Sequence, residues 1–193
     1  ISLSPTTLNN VPYSNPLIYA YNLYLNDQLL TDLVVPSTIK SIGVNAFYGC
    51  TSLQSVTIPQ TVKTIGSNAF KGCTGITSIK WDAVEYLLSE TPFADSNTKI
   101  ISFTFGDNIL YVPENCCQGM TALQNIFWGK SISYINSNAF NGCSSLTSIT
   151  IPNTIKSVST NVFNGCTALT SLEWDAAPEV WSSSSFSAIK KQI

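Results

Sequence analysis

The segment Ser67–Ile79 reads SNAFKGCTGITSI, and the segment Ser137–Ile149 reads SNAFNGCSSLTSI. A motif repeated this closely calls for a search for a regular period along the chain. Its phenylalanine recurs every 23 residues, with a single step of 24 residues that ends on a cysteine in the same place. A unit of this size cannot bury its apolar side alone, so neighbouring units must stack to form a continuous core. The series consists of Phe47, Phe70, Phe93, Cys117, Phe140, Phe163 and Phe186.

Each repeat also carries the alternation of apolar and polar residues that is typical of a half-buried β-strand. In Ser55–Ile58 the apolar residues alternate with hydroxyl residues, and Pro59 ends the run. A second short apolar pair follows, and a tight Asn-Ala-Phe-x-Gly turn closes the repeat. The pattern predicts a repeat solenoid: a curved, β-rich stack of coils with a short parallel β-sheet on one face, short 3₁₀ or irregular turns, and little α-helix.

The domain organisation follows from where the repeat begins. Residues 1–27 are expected to form an irregular lead-in and an N-terminal hairpin cap. The hairpin is predicted to pair residues 20–25 with residues 28–35 across an Asn26-Asp27 turn. Residues 28–193 then form the solenoid, with about seven coils and the last one incomplete. A longer period also exists, because residues 47–93 and 140–186 align with an offset of 93.

The C-terminal segment is the least regular part of the array. Residues 186–193 align with residues 93–100, so the sequence stops where the next strand is expected to begin. An uncapped strand leaves an exposed sheet edge. We therefore expect either a truncation or an assembly that covers this end near Trp174 and Trp181, including end-to-end self-association.

The composition argues against several classes of function. Charged residues make up 10% of the chain, arginine is absent and the lysines are scattered, so no basic surface follows the phosphates of a nucleic acid. Histidine is absent as well, which removes the usual general base and a common zinc ligand. No apolar run reaches the roughly 18 residues that a membrane span needs. We therefore expect no cofactor, no metal site, no nucleic-acid partner and no membrane span in this chain.

Residues 51–73 read TSLQSVTIPQTVKTIGSNAFKGC. This segment resembles the BspA-like (treponemal-type) leucine-rich repeat, whose unit runs L-x-x-I-x-I-P-x-x-(I/V)-x-x-I-G-x-x-A-F-x-x-C. The resemblance covers about residues 28–193, and the pattern is broken at Cys117 and Met120. It implies a leucine-rich repeat solenoid in a secreted or cell-surface protein of a host-associated bacterium. In some members this is an adhesin that contacts host matrix proteins, and no catalytic residues are implied.

The cysteines admit more than one interpretation. Four of them share one repeat position, which favours a buried ladder of small apolar side chains. The alternative is a pair of disulfides, 50–73 and 143–166, because stacked coils bring Cα atoms to about 5 Å. Metal binding lacks a second type of ligand. In the Cys116-Cys117 pair, one residue fills the phenylalanine position and Cys116 is expected to be the partly exposed thiol, with a structural rather than a redox role. The four ladder residues are Cys50, Cys73, Cys143 and Cys166.

The outward residues of the predicted strands form the candidate binding surface. Most are Ser or Thr, with one aromatic residue, Phe127, in the middle. The tryptophans Trp81, Trp128 and Trp174 fall on the inward positions and are expected in the core. Asp32 and Val34 are outward as well. The candidate binding residues are Ser55, Thr57, Ser78, Lys80, Ser102, Thr104, Asn125, Phe127, Ser148, Thr150, Ser171 and Glu173.

The strand face predicts a non-enzymatic module that binds a protein or glycan partner. The resemblance implies that the module is extracellular or on the cell surface and that the partner is one such as a host matrix protein. One alternative is a structural spacer or stalk, whose Ser/Thr face serves only strand formation and solubility. The other is a glycosidase that uses a pair of carboxylates. Its candidates surround two WDA segments, although Asp82 and Asp175 also suit the ends of their strands. The five carboxylates are Asp82, Glu85, Glu173, Asp175 and Glu179.

Overall fold

The computed structural model describes residues 6–8, 11–13, 23–25, 27–83, 92–93 and 95–176. The chain divides into two units, Ile1–Ser96 and Asn97–Ile193. In each unit, strands one repeat apart in sequence pair in parallel with a constant register. Each unit is therefore a β-solenoid built of short parallel sheets, and the predicted fold class is confirmed.

The first unit contains two antiparallel hairpins followed by two parallel sheets. The hairpins are β1–β2 and β3–β4, the larger sheet is β5–β7–β9, and the smaller is β6–β8. The strands are β1 (Thr6–Leu8), β2 (Val11–Tyr13), β3 (Tyr24–Leu25), β4 (Gln28–Leu29), β5 (Asp32–Val34), β6 (Ser41–Ile42), β7 (Ser55–Ile58), β8 (Thr64–Ile65) and β9 (Ser78–Trp81).

The N-terminal prediction needs two corrections. The lead-in is not wholly irregular, because β1 and β2 pair within it. The predicted hairpin exists but is shorter: Tyr24–Leu25 pairs with Gln28–Leu29, and Asp27 takes the left-handed conformation, with φ 63°, in the turn. The remainder of the expected second arm, Asp32–Val34, instead joins the parallel sheet. The alternation of that segment suits either pairing, and the repeat register decides in favour of the sheet.

The second unit begins with a single turn of 3₁₀ helix, Asn97–Lys99. Parallel ladders then join β10 to β12 and β14 to β16, and a separate parallel sheet is formed by β11, β13 and β15. The strands are β10 (Ser102–Phe105), β11 (Tyr111–Val112), β12 (Asn125–Phe127), β13 (Tyr134–Ile135), β14 (Ser148–Ile151), β15 (Ser157–Val158) and β16 (Ser171–Trp174).

The repeated phenylalanine forms a buried stack in each unit. In the first unit the rings of Phe47, Phe70 and Phe93 stack with centroid separations of 5.0 and 5.1 Å. In the second, Phe140 and Phe163 stack at 5.7 Å. Cys117 occupies the same position in its coil, since its backbone N–H donates to the carbonyl of Ala139 as that of Phe47 does to Ala69. The predicted substitution of cysteine for phenylalanine is thereby confirmed.

The tight turn of each repeat depends on residues that tolerate positive φ. Five asparagines at one repeat position have φ between 55° and 57°, and a glycine four residues later has φ between 71° and 78°. Asparagine and glycine adopt this left-handed conformation at the lowest cost. Asp95 takes the glycine position in its coil, with φ 65°. The asparagines are Asn45, Asn68, Asn115, Asn138 and Asn161.

Three of the earlier predictions fall outside the described residues. These are the uncapped strand and self-association at residues 186–193, the position of Trp181, and the loops that carry Glu85 and Glu179. They stay predictions.

Candidate functional site

The outward side chains of the second unit's strands line one face, as the alternation predicts. Ser148, Thr150, Ser171 and Glu173 are exposed, and Ile149 between them is buried. The ladder places Ser148 beside Ser171 and Thr150 beside Glu173. The hydroxyl of Thr150 donates to Oε2 of Glu173 at 2.8 Å. This part of the face is therefore polar and hydrogen-bonded to itself.

Phe127 is the aromatic residue of this face. Its side chain is 55% exposed, although it lies within β12 between the polar positions of neighbouring coils. Thr104 lies beside it in the ladder and is half-buried. An exposed phenylalanine within a sheet exposes apolar area to water without compensation, and such area is characteristic of contact surfaces.

The sheet is interrupted next to Phe127. Within the described residues of the second unit, no ladder joins β12 to β14. Instead, Nε1 of Trp128 donates to the backbone carbonyl of Thr150 at 2.8 Å. The equivalent bond in the first unit, 93 residues earlier, comes from the backbone N–H of Val35 to the carbonyl of Thr57 at 3.0 Å. The indole thus takes the place of a backbone donor, and Ile126 is left half-buried.

The prediction that all three tryptophans are core residues is only partly right. Trp81 is buried, with 2% exposure, and its Nε1 donates to the carbonyl of Ala83 at 3.2 Å. Trp128 and Trp174 are half-buried. The ring of Trp128 still makes apolar contacts. It stacks on Phe105 and packs edge-to-face with Phe140, with ring centroids 5.9 and 5.8 Å apart. Its polar edge is turned to the backbone, as an amphipathic side chain allows.

The outward face of the first unit has a different character. Val34 is 67% exposed, while Ser55, Thr57 and Ser78 are half-buried. Asp32 accepts hydrogen bonds from Ser55 Oγ and Thr31 Oγ1, and these bonds lower the pKa of its carboxyl group.

Lys80, the candidate cation of this face, lies close to an acidic residue. Its Nζ is 3.8 Å from Oδ2 of Asp82. Such exposed pairs are weak, so a partner's carboxylate can compete for the lysine.

The ladder cysteines are free thiols and are buried, as the packing interpretation predicts. Their role is not purely apolar, however. The thiol of Cys73 donates to the carbonyl of Phe47 at 2.9 Å, and the thiol of Cys143 to that of Cys117 at 3.2 Å. Ser96, which occupies the same position one coil after Cys73, donates to the carbonyl of Phe70 at 2.9 Å. In these three coils the position holds a small side chain that donates one hydrogen bond, whereas the buried Met120 fills it in another coil without a donor.

The environment of these thiols makes them poor nucleophiles. A hydrogen bond with Cys50 and burial raise the pKa of Cys73, and Cys166 and burial do the same for Cys143. Burial, then contact with Cys116, raises the pKa of Cys117. Only a thiolate reacts readily, so a raised pKa protects Cys73, Cys117 and Cys143. The same hydrogen bonds lower the pKa of their partners Cys50 and Cys166, which are shielded by burial instead. Cys116 is half-buried, as expected of the outward member of its pair.

The described carboxylates of the glycosidase alternative make local contacts within their own units. Asp82 lies near Lys80 in the first unit, and Glu173 accepts a hydrogen bond from Thr150 in the second. The backbone N–H groups of Asp82 and Asp175 donate to Ile58 and Ile151 at the ends of their ladders. Among the described residues, no group of three potential metal ligands is found.

A second exposed surface was not anticipated from the sequence. On the β11–β13–β15 sheet, the rings of Tyr111 and Tyr134 stack at 4.9 Å with an angle of 18° between their planes. Tyr111 is 49% exposed, and the adjacent Leu110 is 39% exposed. The signal was present in the sequence: at this outward position other coils carry Ser41, Thr64 or Ser157. Comparing outward positions between coils, as well as inward ones, would have revealed it.

Comparisons with known proteins bear on the fold and the family. The model of the BspA type leucine rich repeat region matches residues 18–127 and 88–192, with six copies of the repeat. No curated protein matches the chain. In the part of the chain that the structure describes, no helix has the length and apolarity needed to cross a bilayer.

Several solved structures are similar to this chain. A leucine rich cell surface protein from Faecalibacterium prausnitzii is 28% identical, with 78% of this chain and 40% of that chain covered and a TM-score of 0.49. A leucine-rich repeat protein from Eubacterium ventriosum is 17% identical, with 83% and 46% covered and a TM-score of 0.54. One from Bacteroides ovatus is 17% identical, with 74% and 54% covered and a TM-score of 0.50.

This chain thus spans about half the length of those structures or less. The family match extends over most of the chain, and the parallel 23-residue coils with their phenylalanine stack supply the matching architecture. The chain belongs to the BspA-type leucine-rich repeat family.

Proposed function

We propose that this chain is part of an extracellular or cell-surface binding module that holds a protein partner on the strand face of its second unit, with Phe127 as the anchor. The observation that carries the proposal is the 55% exposure of Phe127 beside the interruption between β12 and β14. Leucine-rich repeat proteins are generally binding modules rather than enzymes, which supports the same conclusion.

The surroundings of Phe127 suit a protein contact. The residues around it are short or uncharged: Thr104 lies beside it in the ladder, and Asn125 lies two residues earlier in the same strand. The backbone carbonyl of Thr150 is bonded by the adjacent Trp128. A hydrophobic anchor surrounded by a polar rim is the common anatomy of a protein interface. Ile126 and Trp128, which flank Phe127 in the chain, occupy inward positions and are half-buried.

A binding array of extracellular matrix proteins and glycans tests this proposal. The chain should bind at least one protein, and Phe127→Ala should weaken that binding by about tenfold or more, as loss of an aromatic anchor does. Val34→Ala is the matched control, because Val34 occupies the equivalent outward position 93 residues earlier and is 67% exposed. It removes exposed apolar area from the first unit and should leave the affinity unchanged.

Lys80→Ala completes the set, because it tests the charged residue of the first unit separately. Equal binding by the wild type, Phe127→Ala and Lys80→Ala would remove the strand face as the contact surface and favour the spacer. Binding of a glycan that is lost in Phe127→Ala would keep the anchor and change the class of partner.

A further inference from the structure

The β11–β13–β15 sheet carries an aromatic surface that is separate from the strand face. Here we call Leu110, Tyr111 and Tyr134 the tyrosine patch. The parallel register places Tyr111 directly beside Tyr134, and Tyr134 directly beside Ser157. The rings of the two tyrosines stack on each other at 4.9 Å. One face of Tyr134 is therefore covered by Tyr111, and its other face is turned toward Ser157, which has a short, exposed side chain. Tyr134 itself is half-buried.

The repeats themselves show that the patch is not required by the fold. Three coils carry an exposed lysine followed by an exposed small hydroxyl residue at the positions equivalent to Leu110 and Tyr111, whereas Ser133, at the lysine position of the next coil, is buried. In the coils of Tyr111 and Tyr134 both positions change together, since the lysine becomes leucine or serine and the hydroxyl residue becomes tyrosine. The replaced residues are the ones that favour solubility, so a structural requirement does not explain the change. The three regular pairs are Lys40-Ser41, Lys63-Thr64 and Lys156-Ser157.

We propose that the tyrosine patch binds an uncharged carbohydrate chain, with a sugar ring stacked on the face of Tyr134 that is turned toward Ser157. The three side chains of the patch carry no charge, which matches a neutral ligand. The exposed Lys156 lies on the next coil, where its backbone N–H donates to the carbonyl of Ser133. Aromatic rings contact the apolar C–H faces of sugars, and the tyrosine and Ser157 hydroxyl groups can donate to and accept from sugar hydroxyl groups. This proposal goes beyond the protein contact proposed for the strand face, and it concerns a different sheet.

The size of the patch favours a glycan over a protein. Three side chains on two adjacent coils supply far less than the roughly 800 Å² that each partner contributes to a standard protein interface. One or two sugar rings, in contrast, match the length of a stacked pair of tyrosines. Small-ligand sites commonly combine a few aromatic side chains with a small number of polar groups.

The experiment is a titration of the chain with neutral hexasaccharides of the β-glucan, xylan, mannan and poly-N-acetyllactosamine types, followed by calorimetry and by saturation-transfer NMR. At least one hexasaccharide should bind and should contact tyrosine ring protons. Tyr134→Ser should weaken that binding by about tenfold or more, while Tyr134→Phe, which keeps the ring, should weaken it by less than about threefold. Two other coils have serine at this position, so the Tyr134→Ser variant should keep the fold.

Thr64→Ser is the matched control, because it changes the same repeat position in the first unit and should leave binding unchanged. The proposal is overturned if none of the four hexasaccharides binds, or if Tyr111→Ser and Tyr134→Ser together leave the affinity unaltered. It is also overturned if the patch proves to bind a matrix protein and no glycan. None of these results affects the proposal for Phe127, which is tested by variants on the other sheet.

Discussion

Trp128 donates its indole N–H to the backbone carbonyl of Thr150, at the place where Val35 donates its backbone N–H to Thr57. The two positions are 93 residues apart in the duplicated block. The first unit has a ladder here, between β5 and β7, whereas no ladder joins β12 to β14 among the described residues of the second. The interruption leaves Ile126 and Trp128 half-buried next to the exposed Phe127.

Replacing Trp128 by the residue of the first unit should close this interruption. In Trp128→Val, the backbone N–H at position 128 should donate to the carbonyl of Thr150, because the indole no longer occupies that acceptor. Hydrogen exchange followed by NMR should show that this amide exchanges at least about tenfold more slowly in the variant than in the wild type. Trp128→Phe removes the indole donor but keeps a large ring, and serves as the comparison. If the backbone amide of Trp128 already exchanges slowly in the wild type, that amide is already protected. The indole would then not have replaced it as the donor to Thr150.

The asparagine turn should be sensitive to the loss of its left-handed conformation. Asn115 has φ 57°, so Asn115→Ala should lower the free energy of unfolding by about 1 kcal/mol. Asn115→Gly should change it by less than about 0.5 kcal/mol, because glycine adopts positive φ without a steric cost. Urea unfolding measures both. A glycine variant less stable than the alanine variant would show that the asparagine side chain, rather than its backbone, is what the turn needs.

The cysteine ladder should tolerate serine better than alanine. Cys143 donates to the carbonyl of Cys117, and Ser96 makes the same type of bond in its own coil. Cys143→Ser should therefore cost no more than about 1 kcal/mol of stability. Cys143→Ala should cost about 2 kcal/mol, since it loses the bond and the buried sulfur. If alanine is tolerated as well as serine, the thiol acts only as a small apolar group.

Thiol reactivity should single out Cys116 in the native protein. All other cysteines are buried, whereas Cys116 is half-buried. A disulfide reagent such as DTNB should therefore label one thiol per native chain, and Cys116→Ser should abolish the reaction. In urea, six thiols should react. Two or more fast thiols in the native wild type would show that the ladder opens.

Stability should fall in alkaline solution because of the buried thiols. Burial raises the pKa of Cys117 above its ordinary value of 9.0. Below pH 9 the thiol is protonated in both states and contributes no pH dependence. Above it, the unfolded chain loses the proton and the folded chain keeps it, so unfolding becomes more favourable, by up to about 1.4 kcal/mol per pH unit for each such thiol. Unfolding measured between pH 8 and 10 should show a shallower slope in Cys117→Val, and an unchanged slope would contradict this origin.

Much of the architecture could be derived from the sequence because it depends on short-range patterns. The alternation in Ser148–Ile151 determines which side chains face outward, and the recurrence of Phe140 and Phe163 determines the stack. The N-terminal segment was harder, because Asp32–Val34 suits a hairpin and a parallel sheet equally well. Only the position of its neighbours distinguishes the two pairings.

By itself, the sequence determined the period of the coils, the inward and outward faces, the left-handed turns and the burial of the ladder cysteines, since each follows from residue type at a fixed spacing. Only the tertiary structure decided that Trp128 replaces a backbone donor, that the exposed Tyr111 stacks on the half-buried Tyr134, and that Ser96 continues the bonding of the cysteines. Each of these joins atoms on neighbouring coils, 22 to 26 residues apart in the chain. The geometry between neighbouring coils determines these contacts, because no local sequence pattern specifies which of several available donors or rings will make them.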